Sequence, residues 1–126
     1  MTRIELVQKV QQRKKTLNIT IENLAKLSGL GIRTVNRFFA ADDVKLSTVE
    51  KITNLLGLDF SGNETVSIEE LKQKRAKEKA MFMGSLVQGT SALEQQGLEK
   101  KSIEKIIFRF EKEFLSGAYQ DRLWVA

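Results

Sequence analysis

The 126-residue chain has no histidine, no cysteine and no proline, and each absence removes a class of structure or chemistry. Without Cys there is no disulfide framework and no thiolate nucleophile. Without His as well, the common zinc sites and every imidazole-based nucleophile system are excluded. Long hydrophobic runs are also missing: Ala80-Met81-Phe82-Met83 and Ile106-Ile107-Phe108 are far too short to cross a bilayer. The first residues, Met1-Thr2-Arg3-Ile4-Glu5, meet charge at once and offer no apolar signal segment, so a cytoplasmic protein with no membrane partner is expected.

Catalysis is not expected either. The acidic pairs Asp42/Asp43, Glu69/Glu70 and Glu111/Glu113 are adjacent or nearly so, which on a helix turns the carboxylates toward different faces. No glycine-rich phosphate loop with a trailing Lys is present. The sequence therefore predicts no catalytic residue, no metal site and no cofactor.

What remains is globular in composition, at 41% apolar and 29% charged residues, and unevenly basic. Of the formal net charge of +5, residues 1–60 hold ten Lys/Arg against six Asp/Glu, whereas residues 61–126 hold eleven against ten. An anionic partner would dock on the first half.

Caps and apolar spacing organise the chain into helices. Thr2-Arg3-Ile4-Glu5, Ser47-Thr48-Val49-Glu50 and Ser67-Ile68-Glu69-Glu70 read as capping boxes, and Thr20 as a simpler N-cap with Glu22 in the first turn. They predict helices near 3–16, 20–28, 32–39 and 47–56, then a long one over 67–95 ending before Gly97. A last helix over 99–115 ends before Gly117, and residues 119–126 form a tail. The turn-rich Asp59-Phe60-Ser61-Gly62-Asn63 marks a boundary, giving domains 1–62 and 63–126 in an all-α chain.

Residues 21–40 carry the most information. Ala25 suits a steep helix crossing, Gly29 a turn with φ > 0, and Val35 follows six residues later, the spacing a helix-turn-helix needs. Leu24, Leu30, Val35 and Phe38 are spaced to bury together. Leu24-Ala25, Ser28-Gly29-Leu30, Thr34-Val35-Asn36-Arg37, Leu46-Ser47-Thr48-Val49-Glu50-Lys51-Ile52 and Leu56-Gly57-Leu58 make residues 6–58 resemble the phage Cro/repressor-type helix-turn-helix family, also called XRE. Ile21 stands where the family often has Gln, and Gly31 where it often has Ser or Thr.

The resemblance implies a five-helix-type, lambda-repressor-like DNA-binding domain and a sequence-specific transcriptional regulator, a dimeric repressor on a pseudo-palindromic double-stranded DNA operator. Its geometry sends helix 32–39 into the major groove, with Ile32, Arg33, Asn36 and Arg37 at the bases. Arg33 suits guanine and Asn36 suits adenine or a phosphate. Arg37 is open between a base reader, a phosphate clamp and an intramolecular ion-pair partner. Phosphate contacts are expected from Thr20, Asn23, Lys26 and Lys45. The Arg13-Lys14-Lys15 cluster is either a phosphate site or a favourable ending for a helix dipole.

Residues 63–126 match no motif. Lys72 to Lys79 is a strongly charged stretch, read as a solvated helix face or a phosphate-tracking strip. Beyond it Gly84, Ser85, Gly89, Thr90, Ser91 and Ala92 accompany Met81, Phe82, Met83, Leu86 and Val87. Small residues weaken a helix and suit close approach of a second backbone. Ile103, Ile106, Ile107, Phe110 and Phe114 form one stripe. Met81, Phe82, Leu86 and that stripe are the expected homodimer interface, with packing onto the first domain as the alternative. Two other functions remain open at this level. One is an antitoxin that autorepresses its operon and grips a toxin through residues 63–126; the other is a protein-interaction module that binds no DNA.

Overall fold

The computed structural model describes residues 2–94 and 100–126, and the side chains of residues 2–86 and 102–126. Among the described residues the chain is all-α. Its helices are α1 (Arg3–Leu17), α2 (Ile21–Ser28), α3 (Ile32–Phe39), α4 (Leu46–Leu55), α5 (Ile68–Glu94) and α6 (Lys100–Ser116), followed by a 3-10 turn at Gln120–Arg122. The only β feature among these residues is an isolated antiparallel bridge between Leu58 and Glu64. The expected helix stop before Gly97 lies outside the described residues.

The chain divides into two compact units, one of residues 1–71 with Trp124–Ala126, the other of Lys72–Leu123. This division falls inside α5, and the turn at residues 59–63 lies within the first unit. The reason is local bonding. The Gly57 carbonyl accepts from the N–H groups of Thr65 and Val66, at 2.8 and 3.2 Å, so the segment after the turn folds back onto the first unit. Arg13 then ties it down by donating to the Val66 carbonyl and pairing with Glu64 at 3.6 Å.

The start of α1 is a complete capping box: Thr2 Oγ1 accepts from the Glu5 N–H, and a Glu5 carboxylate oxygen accepts from the Thr2 N–H. The helix ends at Asn18 in the left-handed region, φ 59°, which Asn tolerates. The start of α2 is capped by Thr20 Oγ1, which accepts from the Asn23 N–H, and Gly29 ends it at φ 72°, as the sequence predicted for this turn. Next, α3 occupies the predicted 32–39. Packing of α2 on α3 and α4, and of α1 on α3, encloses Val10, Leu24, Ala25, Val35, Phe38, Ile52 and Leu56. Leu30 and the flanking Leu27 and Leu55 are only half-buried.

The capping box expected at Ser47 does not form. Instead, α4 starts at Leu46, with Lys45 as N-cap and no side-chain cap, and the Lys45 carbonyl accepts from Thr48 and Val49. Burial sets this register: Thr48, Val49, Ile52 and Thr53 all face inward, leaving Ser47 one position inside the helix. At the start of α5 the cap is observed, Ser67 Oγ accepting from the Glu70 N–H at 3.1 Å.

In the second unit, α5 and α6 pair antiparallel. The Lys79 ammonium lies 5.7 Å from the Phe114 ring centroid, and further along α5 Gly84 faces Ile107. A Cβ at Gly84 would meet Ile107 Cγ1 at 2.7 Å, so this glycine permits the approach of a side chain from the chain's own α6. The side chains of Val87, Thr90, Ser91 and Ala92 lie outside the described residues. Ala76, Ala80, Phe114 and Leu123 are buried, and Arg75 Nε donates to the Leu123 carbonyl at 2.9 Å.

Candidate nucleic-acid interface

The geometry of α3 follows from its inward side. Val35 and Phe38, at 0% and 3% exposure, fix the helix rotation. Thr34 and Phe39, beside these anchors, are half-buried, and the rest of the helix lies toward solvent. Arg33, Asn36, Arg37 and Ala40 are exposed, and Ile32 is 48% exposed. The first turn of α3 holds no acid and its N-cap, Gly31, contributes no side chain. Among the described residues, neither Arg33 nor Asn36 has a side-chain hydrogen bond or ion pair, so both donor sets face water.

Arg37 differs. Its Nη2 donates to the Asp43 carbonyl at 3.1 Å, and its Nε lies 3.9 Å from an Asp42 carboxylate oxygen. Of the roles left open by the sequence, the intramolecular one has visible contacts, made by a guanidinium that stays exposed. Arg3 grips the same loop from α1, pairing with the Asp43 carboxylate and donating to the Ala41 carbonyl at 3.1 Å. Two guanidinium groups thus neutralise the acids that follow α3 and hold a loop in which Ala41 sits at φ 60°.

Beside α3 opens a cleft of about 570 Å³, lined by Leu30, Thr34, Arg37, Asp43, Val44, Lys45, Ser47, Thr48 and Lys51. Lys45 is exposed at the start of α4. Thr34 and Lys51 were not singled out from the sequence. The i, i+4 relation between Ser47 and Lys51 on one helix face was the available clue. The lining sets the cations Arg37, Lys45 and Lys51 against the one acid Asp43, a positive excess that suits an anionic ligand.

The remaining expected phosphate contacts lie on α2. Thr20 and Lys26 are exposed, while Asn23 is half-buried and its Oδ1 accepts from the Ala126 N–H at 3.3 Å. Arg13 is removed from the candidate set. At 8% exposure it donates through Nε to the Leu56 carbonyl and through Nη2 to the Val66 carbonyl, so its charge serves the interior. Lys15 from the same cluster is exposed.

The expected interface stripe in the second unit is divided. Phe114, at 5% exposure, is buried within the chain itself, against Tyr119 at a ring-centroid distance of 5.6 Å. Ile107 is half-buried against Gly84, and Ile103, Ile106 and Phe110 are half-buried. Met81, Phe82 and Leu86 remain 53–65% exposed, joined by Phe108 at 59%. Lys79, flanking this surface, is held below the ordinary lysine value by burial first and then by the charges of Arg75 and Arg122.

Among the described residues no group of three or more His, Cys, Asp or Glu side chains is placed to hold a metal, and no helix is long and apolar enough to cross a membrane. No family model matches the chain, and no curated protein or solved structure matches it.

Proposed function

We propose that the chain is a sequence-specific DNA-binding regulator with a lambda-repressor-like helix-turn-helix, in which α2 rests on the phosphate backbone and α3 enters the major groove. The carrying observation is the exposed, acid-free side of α3, where Arg33 and Asn36 lack intramolecular partners above the buried Val35 and Phe38. Arg33 reads guanine through O6 and N7, Asn36 reads adenine, and Ile32 presses on a thymine methyl. Arg37, through its loop contacts, fixes the edge of the reading helix, while Thr20, Lys26 and Lys45 set its register on the phosphates.

The protein acts as a homodimer. Exposed Met81, Phe82 and Leu86, with Ile103, Ile106 and Phe110 beside them, supply apolar surface for a second copy. Two recognition helices then meet half-sites one helical turn apart, roughly 34 Å, and occupancy excludes polymerase. Selection of bound sequences from random duplexes tests this reading. It expects a pseudo-palindrome with two enriched half-sites; recovery of no bound duplex at low salt overturns it.

A further inference from the structure

The cleft beside α3 carries charge and hydroxyl groups that the fold itself does not use. Arg37 is engaged by Asp42 and the Asp43 carbonyl, and the Asp43 carboxylate by Arg3. Lys45 and Lys51 make no hydrogen bond or ion pair among the described residues, so the lining presents two uncompensated positive charges. Thr48 is the unusual member. It is 5% exposed, and its hydroxyl makes no hydrogen bond among the described residues. The Trp124 indole nitrogen is the only side-chain N or O atom among these residues that is sealed from solvent without a partner. The Thr48 oxygen therefore keeps an opening, and the cleft that Thr48 lines supplies it.

A hydroxyl so deeply placed costs stability unless something outside the chain satisfies it. The start of α4 points the same way. It has no side-chain cap, and the N–H groups of Leu46 and Ser47 have no acceptor among the described residues. An oxygen-rich anion would satisfy these donors together with both ammonium groups. We propose that the cleft binds a small phosphate monoester, its terminal phosphate held by Lys45, Lys51 and the Thr48 hydroxyl, its organic body against Leu30 and Val44.

Charge and size select this class. A terminal phosphate carries about −1.5 to −2 at neutral pH, matching Lys45 and Lys51, whereas each phosphodiester of a duplex carries a single negative charge. The volume of about 570 Å³ falls within the range of small-molecule pockets. Half-buried Leu30 and Val44 offer the apolar contact that such pockets give the rest of a ligand. The site stands on the cleft alone. Competition between monoester and duplex for Lys45 is a consequence that rests on the function proposed above.

Phenyl phosphate is the probe, since it joins a monoester to a small apolar ring. In the isotope-labelled full chain, the amide resonances of Leu46, Ser47 and Thr48 should shift and saturate on titration. Affinity should rise as pH passes about 6, where the monoester loses its second proton. Thr48→Val should weaken binding roughly three- to tenfold, and Lys51→Gln roughly tenfold. Thr48→Val should leave the thermal midpoint unchanged or higher, because the hydroxyl it removes has no partner within the chain. A lowered midpoint with unchanged binding makes Thr48 structural and overturns the proposal.

Saturable shifts at these amides, weakened by both variants, support the site. Absence of saturation, or binding that either variant leaves unchanged, overturns it. A mixed-sequence DNA duplex separates the two sources of phosphate. If Lys51→Gln weakens duplex binding while the parent ignores phenyl phosphate, the cleft belongs to the duplex backbone and the proposal falls. Phenyl phosphate binding without any duplex binding supports the site and overturns the proposed function alone.

Discussion

Arg13 Nε donates to the Leu56 carbonyl at 2.9 Å, joining α1 to the end of α4 across 43 positions of sequence. The same guanidinium bonds the Val66 carbonyl and pairs with Glu64. Arg13→Met should therefore leave two carbonyls short of a donor and lower stability by about 2–4 kcal/mol, read from urea denaturation. Lys15→Ala, from the same basic cluster but exposed, should stay within about 0.5 kcal/mol of the parent. Equal losses for the two would refute the structural role given to Arg13.

On a selected operator, Arg33→Ala should cost about 1–3 kcal/mol of affinity and relax preference at one base position. Lys26→Ala should weaken every duplex alike and reduce the salt slope by about one unit. Competition titrations across single-base operator variants separate the two behaviours. If Arg33→Ala lowers all affinities uniformly, the base-reading assignment is incorrect.

Gly84→Ala gains helix propensity, worth about 1 kcal/mol at an open site. Here the added methyl meets Ile107 Cγ1, and overpacking of that kind costs about 1–3 kcal/mol. The thermal midpoint should fall, and the double variant Gly84→Ala, Ile107→Ala should recover part of the loss in a double-mutant cycle. Additive effects would show that α5 and α6 do not meet there.

Phe82→Glu, at a site 65% exposed, should leave helicity unchanged and convert a dimer into a monomer in sedimentation, with weakened operator binding. An unchanged dimer would move the interface to the first unit.

Lys79 gives a pH prediction. Burial, with Arg75 and Arg122 nearby, makes the folded chain bind this proton less readily than the unfolded chain does, relative to the ordinary value of 10.5. The resulting penalty is full below the folded-state pKa and fades as pH rises through 10.5. Lys79→Met keeps an apolar stem beside Phe114, so the variant should be the more stable at neutral pH, with the difference shrinking in alkaline solution. A difference that widens with pH would reverse the assignment.

Legibility of the chain followed the range of the forces involved. The limits of α2 and α3 could be read because Thr20, Gly29 and Gly31 act on their immediate neighbours. The start of α4 could not, because burial of Thr48 overrode the local appeal of Ser47 as a cap. Arg13 looked like a surface cation because its partners are 43 and 53 positions away. The exposed side of α3 was visible in its spacing, whereas the engagement of Arg37 depended on how the Asp42-Asp43 loop turned back. Nothing local announced Trp124 as buried, since the two aromatics of the tail, Tyr119 and Trp124, set no helical or strand period.

Gly57 compresses several demands into one position. Its φ is +71°, its carbonyl receives two N–H groups, and a Cβ there would stand 2.9 Å from Leu71 Cδ1 and 3.1 Å from the Val66 oxygen. Saturation mutagenesis should find this residue irreplaceable. Even alanine would have to bend the chain where it leaves α4, and the damage would reach the exposed side of α3 through misfolding, although position 57 carries no side chain.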